Sequence, residues 1–267
     1  MALLHVNFYS EVLQMSVNMD VILPQQTRSQ IGMENTRREG KYPTIYLLHG
    51  LSDDHTIWQR RTSIERYVSE LGVAVVMPTT HRAFYTDTTY DMPYFTFVSK
   101  ELPAICRDFF PNMSDKPEDT LAAGLSMGGY GAWKLALAAP DTFGAAASLS
   151  GALHMAQNNR MVTEMQTERR AFWEGIFKEP LKVAGTENDL MFLAEKLKAS
   201  GKPLPKLFAW CGTEDFLYED NMYAWNKVKE LGYDLTCSTS EGDHSWPYWD
   251  QQIALAIPRL LGKEAKQ

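Results

Sequence analysis

Apolar residues recur at every second position along 12–23 (VLQMSVNMDVIL). Met15, Val17, Met19 and Val21 mark the period of a strand with one buried face. Polar residues fill 25–41 and read as a loop into a second strand. Short apolar runs follow at 44–48, 73–77, 120–123, 145–149, 207–210 and 235–239, each the length of a strand. Several are almost continuously apolar, as strands covered on both faces are. Between them lie helical patterns. Residues 63–71 stop at Gly72, a residue that readily ends a helix. Residues 95–110 carry Pro103, which predicts a kink or break. Residues 127–139 and 218–231 are further helices, the second closed by Gly232. This alternation predicts an α/β fold built on a mostly parallel sheet with helices on both faces. Antiparallel strands are expected at the N-terminal end, where the first two predicted strands are joined without a helix.

Residues 154–205 break the rhythm. They are longer than one crossover helix requires and include the apolar pairs Phe172-Trp173 and Ile176-Phe177. They read either as a helical insertion capping the carboxyl edge of the sheet or as an enlarged crossover with no ligand role. The rest reads as one domain over 1–267.

Composition narrows the function classes. The chain has 45% hydrophobic and 22% charged residues, too apolar for a disordered chain. The net charge of −7, with no basic cluster beyond Arg37-Arg38 and Arg60-Arg61, argues against a nucleic-acid partner. No run reaches the ~20 apolar residues of a spanning helix, and the first ten residues do not read as a secretory signal. Cys106, Cys211 and Cys237 are odd in number and far apart. They read as reduced thiols, and a cytoplasmic location is expected.

Candidate chemistry centres on Gly124-Leu125-Ser126-Met127-Gly128, which lies between a predicted strand and a predicted helix. G-x-S-x-G in that context presents its serine on a sharp strand-to-helix turn, at a helix N-terminus that favours developing negative charge. A serine nucleophile needs a base, and in this arrangement the acid and then the histidine follow it in the chain. Only His154 and His244 come after Ser126. His154 is too early to be preceded by a post-strand acid, which leaves His244 in the loop after the last predicted strand. The acid is expected after the strand at 207–210. Asp215 is the first choice, with Glu214 and Glu219 as alternatives; Asp243, adjacent to His244, is poorly placed to orient it. The oxyanion needs two N–H donors. One is assigned to the backbone of Met127, and the other to Leu51 in the loop His49-Gly50-Leu51-Ser52. His49 itself reads as a structural residue holding that turn.

The segments LLHGLSDDHTIW, YTDTTY, AGLSMGGYGAWKLAL, SGAL, WCGTEDFLYE and HSWPYW together resemble the tributyrin esterase family of short-chain carboxylesterases. That family lies within the esterase D, S-formylglutathione hydrolase and feruloyl esterase group of α/β-hydrolases. The likeness runs over about 5–255. It implies an α/β-hydrolase fold with nucleophile Ser126, acid Asp215 and base His244, hydrolysis of small acyl esters, no cofactor, and often a homo-oligomer. One departure stands out: S-formylglutathione hydrolases usually carry a Ser-Pro-Ile-type stretch where this chain has Ser150-Gly151-Ala152-Leu153. Residues 155–170, rich in Gln, Asn, Arg and Thr, are a candidate for acyl or alcohol specificity.

Large aromatic side chains near loop ends are candidates for a substrate pocket, chiefly Trp246 and Phe216, then Tyr85 and Trp58. No metal site is expected, since no His pair stands at i, i+4 and no Cys/His cluster occurs. The expected partner is a small-molecule ester, without nucleic acid or membrane. The alternatives are an esterase for feruloyl or acetyl-xylan substrates, an S-formylglutathione hydrolase, and a catalytically silent hydrolase fold used for binding. The complete Ser/Asp/His set argues against the last.

Overall fold

The structure is a computed structural model that describes residues 1–36 and 39–263, so the Arg37-Arg38 pair lies outside the described residues. Eight strands form one sheet: β1 Ala2–Ser10, β2 Met15–Leu23, β3 Thr44–Leu48, β4 Ala74–Pro78, β5 Thr120–Leu125, β6 Ala145–Leu149, β7 Lys206–Gly212 and β8 Leu235–Ser240. Their spatial order is β1-β2-β4-β3-β5-β6-β7-β8. β1 pairs antiparallel with β2 and β2 antiparallel with β4; from β4 to β8 every pairing is parallel.

Strands β3 to β6 are buried at every position, so helices must cover both faces. Alternation sorts their side chains. Tyr46 and Leu48 of β3 join a core beneath helices Leu102–Phe109, Met127–Ala138, Leu190–Ala199 and Tyr218–Glu230. Ile45 and Leu47 join the opposite core, with Trp249, Ile253 and Ile257 of helix Trp246–Leu260 and the short helices Ile57–Arg61 and Ile64–Val68. Fully burying one such aliphatic side chain is worth roughly 1.5–3 kcal/mol.

Three sequence expectations change, and a fourth is met by a different pairing. The strand over 12–23 begins only at Met15, after a turn that joins it to β1. The antiparallel strands expected at the N-terminal end are present, as β1 with β2 and β2 with β4, while the two strands joined by the loop over 25–41 are separated by β4. The helix over 63–71 is shorter, Ile64–Val68, and the separate short helix Ile57–Arg61 precedes it. Pro103 does not break its helix. A π-helical turn at Phe97–Glu101 widens the backbone just before Leu102–Phe109, so the ring sits in the first turn of the α-segment.

Residues 154–205 divide into two parts. Leu190–Ala199 is the crossover helix and packs along Met127–Ala138. Asn159–Glu164 and Arg170–Phe177 lie over the carboxyl ends of the strands, where the Thr89 N–H donates to the Gly175 carbonyl at 2.9 Å. No helix among the described residues is long and apolar enough to cross a membrane.

Candidate active site

β5 ends at Leu125, and the chain reverses at once into helix Met127–Ala138. Ser126 makes that reversal with φ 51° and ψ −117°, a conformation unfavourable for any residue with a Cβ. Surrounding contacts hold it there. Its N–H donates to the Leu149 carbonyl at 2.9 Å, and its carbonyl accepts from Tyr130 and Ala152 at 3.1 and 3.2 Å. The flanking glycines allow the close approach. A Cβ on Gly124 would lie 2.5 Å from the Gly128 backbone, and one on Gly128 would lie 2.4 Å from the Leu48 carbonyl oxygen.

The loop after β8 brings in the histidine. His244 Nε2 stands 2.9 Å from Ser126 Oγ, and His244 Nδ1 stands 2.8 Å from Asp215 Oδ2. Asp215 is buried, and its Oδ1 accepts from the Leu217 N–H at 2.9 Å. Burial raises the Asp215 carboxyl. The hydrogen bond and charge of His244, with the Leu217 N–H, outweigh it and hold the group below the usual carboxylate range. The two other acids weighed from sequence lie elsewhere. Glu214 accepts from the Gly242 N–H at 2.6 Å and from Thr213 at 2.7 Å, tying the acid loop to the histidine loop. Glu219 lies in the first turn of helix Tyr218–Glu230 and lines the cavity described below.

Leu51 and Met127 both border this cavity, and among the described residues neither backbone amide donates a hydrogen bond to a protein acceptor. The turn carrying Leu51 is braced by His49, which is buried. Its Nε2 accepts from the Thr80 N–H at 3.0 Å, so the proton is on Nδ1, which donates to the Gly50 carbonyl at 2.7 Å. Burial lowers the His49 pKa to about 4, although the bond to Gly50 acts the other way, so the ring is neutral at physiological pH.

Ser126 and His244 open into a cavity of about 910 Å³. Phe84, Leu125, Trp173, Phe216, Trp246 and Trp249 supply apolar wall, and Asp53, Arg82, Asn158, Arg160, Arg169 and Asp220 supply polar wall. Phe216 and Trp249 flank the His244 ring at 4.5 and 4.8 Å between centroids. Two aromatic candidates are displaced. Tyr85 is completely buried, and its hydroxyl donates to the His49 carbonyl at 3.0 Å. Trp58 is also completely buried. Its Nε1 donates to the Leu48 carbonyl at 3.1 Å, and its ring backs Trp246 edge-on at 5.3 Å. Both support the wall from behind rather than forming it, because their polar atoms are needed where strand β3 ends.

Sequence reasoning did not single out Arg82, Phe84, Asn158 or Arg160 for the wall; of the residues that 154–205 contributes, Trp173 is one whose large apolar side chain the sequence marks. Asn158, Arg160, Arg169 and Trp173 come from residues 158–173 of that segment, where Glu164 ion-pairs with Arg160 and Arg169 at 2.9 and 2.7 Å and accepts from Trp173 Nε1 at 2.9 Å. Among the described residues no group of three or more His, Cys, Asp or Glu side chains is placed to hold a metal ion.

The chain matches the Esterase family ("Putative esterase") over residues 10–260. It is 30% identical to an acetyl esterase of Caldicellulosiruptor saccharolyticus, over 96% of this chain and 97% of that protein. It is 34% identical to FphF, a fluorophosphonate-binding serine hydrolase of Staphylococcus aureus, with a TM-score of 0.84 over 97% of this chain and 98% of that one. It is also 34% identical to the S-formylglutathione hydrolase FrmB of Staphylococcus aureus, with a TM-score of 0.82 over the same shares. With the strand order and the strand–turn–helix at Ser126, these likenesses place the chain in the Esterase family, as a carboxylic ester hydrolase on an α/β-hydrolase fold.

Proposed function

We propose that the chain is a serine carboxylesterase that hydrolyses esters of short acyl groups through an acyl-enzyme on Ser126. The observation that carries this reading is the unbroken relay from Asp215 through His244 to Ser126, at 2.8 and 2.9 Å, opening into a cavity. His244 Nε2 takes the Ser126 proton as Oγ attacks the ester carbonyl carbon. Asp215 holds the proton on Nδ1 and stabilises the imidazolium. The Met127 and Leu51 amides donate to the oxyanion, where one such donor is typically worth about 2.7–4 kcal/mol. The intermediate collapses as His244 protonates the departing alcohol. Water, deprotonated by the same nitrogen, then releases the acid and restores Ser126.

The mixed wall supports a short acyl group. Arg82, Asn158, Arg160, Arg169 and Asp220 suit a polar alcohol portion and would be desolvated at a cost by a long alkyl chain. The roof at 154–182 then bounds the chain length. The named activity of the acetyl esterase relative agrees. A second reading is favoured by Phe216, Trp246 and Trp249 around the histidine, which suit a hydroxycinnamoyl group. The test is kcat/KM over p-nitrophenyl acetate, butyrate and octanoate, methyl ferulate and S-formylglutathione, with Ser126→Ala as control. A maximum at acetate or butyrate that disappears in the variant supports the proposal. A maximum at ferulate or at S-formylglutathione replaces it, and equal activity in the variant removes Ser126 from the mechanism.

A further inference from the structure

A second cavity, of about 330 Å³, opens beside the nucleophile helix Met127–Ala138. Lys134 lies on that helix, eight residues beyond Ser126 and so about 12 Å farther along the axis. It is only 2% exposed, yet it lines this cavity. Nζ donates to Asn188 Oδ1 at 2.6 Å and stands over the rings of Phe95 and Tyr130, at 5.0 and 5.6 Å. An ammonium carries three N–H donors, and one is committed to Asn188. Among the described residues no carboxylate forms an ion pair with it. An unpaired lysine at this depth is costly for packing alone, where a methionine would fill the same space.

The remaining walls indicate what would pair with it. Phe95, Leu137, Leu193 and Leu197 are apolar, and Glu187, Lys196 and Lys202 add charge at the rest of the wall, Lys202 being paired with Asp141. Asp87 is occupied, accepting from the Thr96 N–H and hydroxyl at 2.8 and 2.7 Å. We infer that this cavity is a binding site for a small aliphatic carboxylate, with its headgroup on Lys134 Nζ and its chain against Phe95, Leu137, Leu193 and Leu197. The Asn188 amide nitrogen is available to the second carboxylate oxygen. A volume near the lower limit of ligand pockets suits a chain of a few carbons.

Such binding is linked to protons. Burial lowers the Lys134 pKa to about 7, with Glu187 and Asp87 acting against it. Glu187 faces it from the segment before helix Leu190–Ala199, Asp87 from the loop before Pro93, Lys196 and Lys202 from that helix and just beyond it, and Tyr130 from its own helix. A carboxylate requires the charged amine. Its affinity therefore scales with the protonated fraction and falls about tenfold between about pH 6 and about pH 8, with proton uptake near neutrality.

The site is separate from the Ser126 reaction and is tested separately. Hexanoate is titrated calorimetrically into protein whose Ser126 has been blocked with a fluorophosphonate, at both pH values and in buffers of different ionisation enthalpy. Hexanol is the uncharged control. The expected result is one site, weaker at the higher pH, with no hexanol binding, and weakened at least about tenfold by Lys134→Met and by Leu193→Phe. Leu193→Phe narrows the cavity without removing the charge, so it decides the matter if Lys134→Met does not fold. Binding unchanged by Leu193→Phe, or abolished by the fluorophosphonate block, overturns the inference. If the fluorophosphonate does not label Ser126, the acyl-enzyme reading fails, and the same titration on unlabelled protein still reports on Lys134.

Discussion

Replacing Gly128 by alanine tests whether the two sides of the proposed oxyanion site are held at a fixed spacing. The added methyl would stand 2.4 Å from the Leu48 carbonyl oxygen and 2.7 Å from that of His49. Both obstacles are backbone, and the chain they belong to continues directly into Gly50 and Leu51. To bring the closer contact out to about 3.0 Å, where real Cβ contacts begin, the helix start and the end of β3 must separate by at least about 0.6 Å. That movement acts on the Met127 and Leu51 amides together. Misplacements approaching 1 Å around a reacting centre cost about 10²-fold in rate, and overpacking costs typically about 1–3 kcal/mol, or roughly 2–10 °C in Tm for a chain of this size. Initial rates on p-nitrophenyl butyrate should show kcat down by about two orders of magnitude with KM little changed, and a thermal melt should stay cooperative. Met127→Ala keeps the backbone donor and should lose only a few-fold. A Gly128→Ala enzyme that folds and keeps more than about a third of wild-type kcat would refute the reasoning, because the spacing would then not matter.

Further outcomes follow from the same geometry. Asp215→Asn should lower kcat by about 10⁴-fold with little effect on KM in steady-state kinetics, since the amide no longer fixes the His244 tautomer. His49 supplies an acid dependence of stability. The unfolded ring takes up a proton near its ordinary 6.5, while the folded ring resists to about 4, so stability present above pH 6.5 is lost as pH falls through that window, by about 3 kcal/mol. Urea unfolding of wild type and His49→Gln at about pH 7 and about pH 4.5 should show the gap between them narrowing toward acid; a constant gap contradicts it. Trp246→Ala should open the wall beside His244 and raise octanoate relative to butyrate by at least about tenfold in kcat/KM.

The sheet core and the site order were legible because their signals are local. Continuous apolar runs marked β3 to β6, and the glycines around Ser126 marked the turn. β1 escaped notice although Ala2, Leu4, Val6 and Phe8 alternate with more exposed neighbours. The terminal helix Trp246–Leu260 was also passed over, despite Trp249, Ile253, Ala256, Ile257 and Leu260 recurring at helical spacing. The wall residues could not be assigned from sequence for a different reason. Tyr85 and Trp58 have the right chemistry, but burial is decided by where the Leu48 and His49 carbonyls need donors. The roof residues depend on how 154–182 folds back over the sheet, which no local periodicity encodes. Resemblance in part puts Asp215 ahead of Glu214; the physical reason lies in the space between loops, where Glu214 spends its carboxylate on Gly242 and Asp215 faces His244.

The order in which the relay is laid down along the chain has a consequence for biosynthesis. Asp215 lies 29 residues before His244, and Ser126 lies 118 residues before it. On the proposed relay, a growing polypeptide carries its nucleophile long before its base, and contacts so distant in sequence form late and slowly. Until β8 and the final helix dock, Ser126 is an ordinary alcohol on an unfinished sheet. Competence for acyl transfer thus waits for the segment that carries His244: a ribosome-stalled product ending before His244 should bind folding probes yet leave an ester intact.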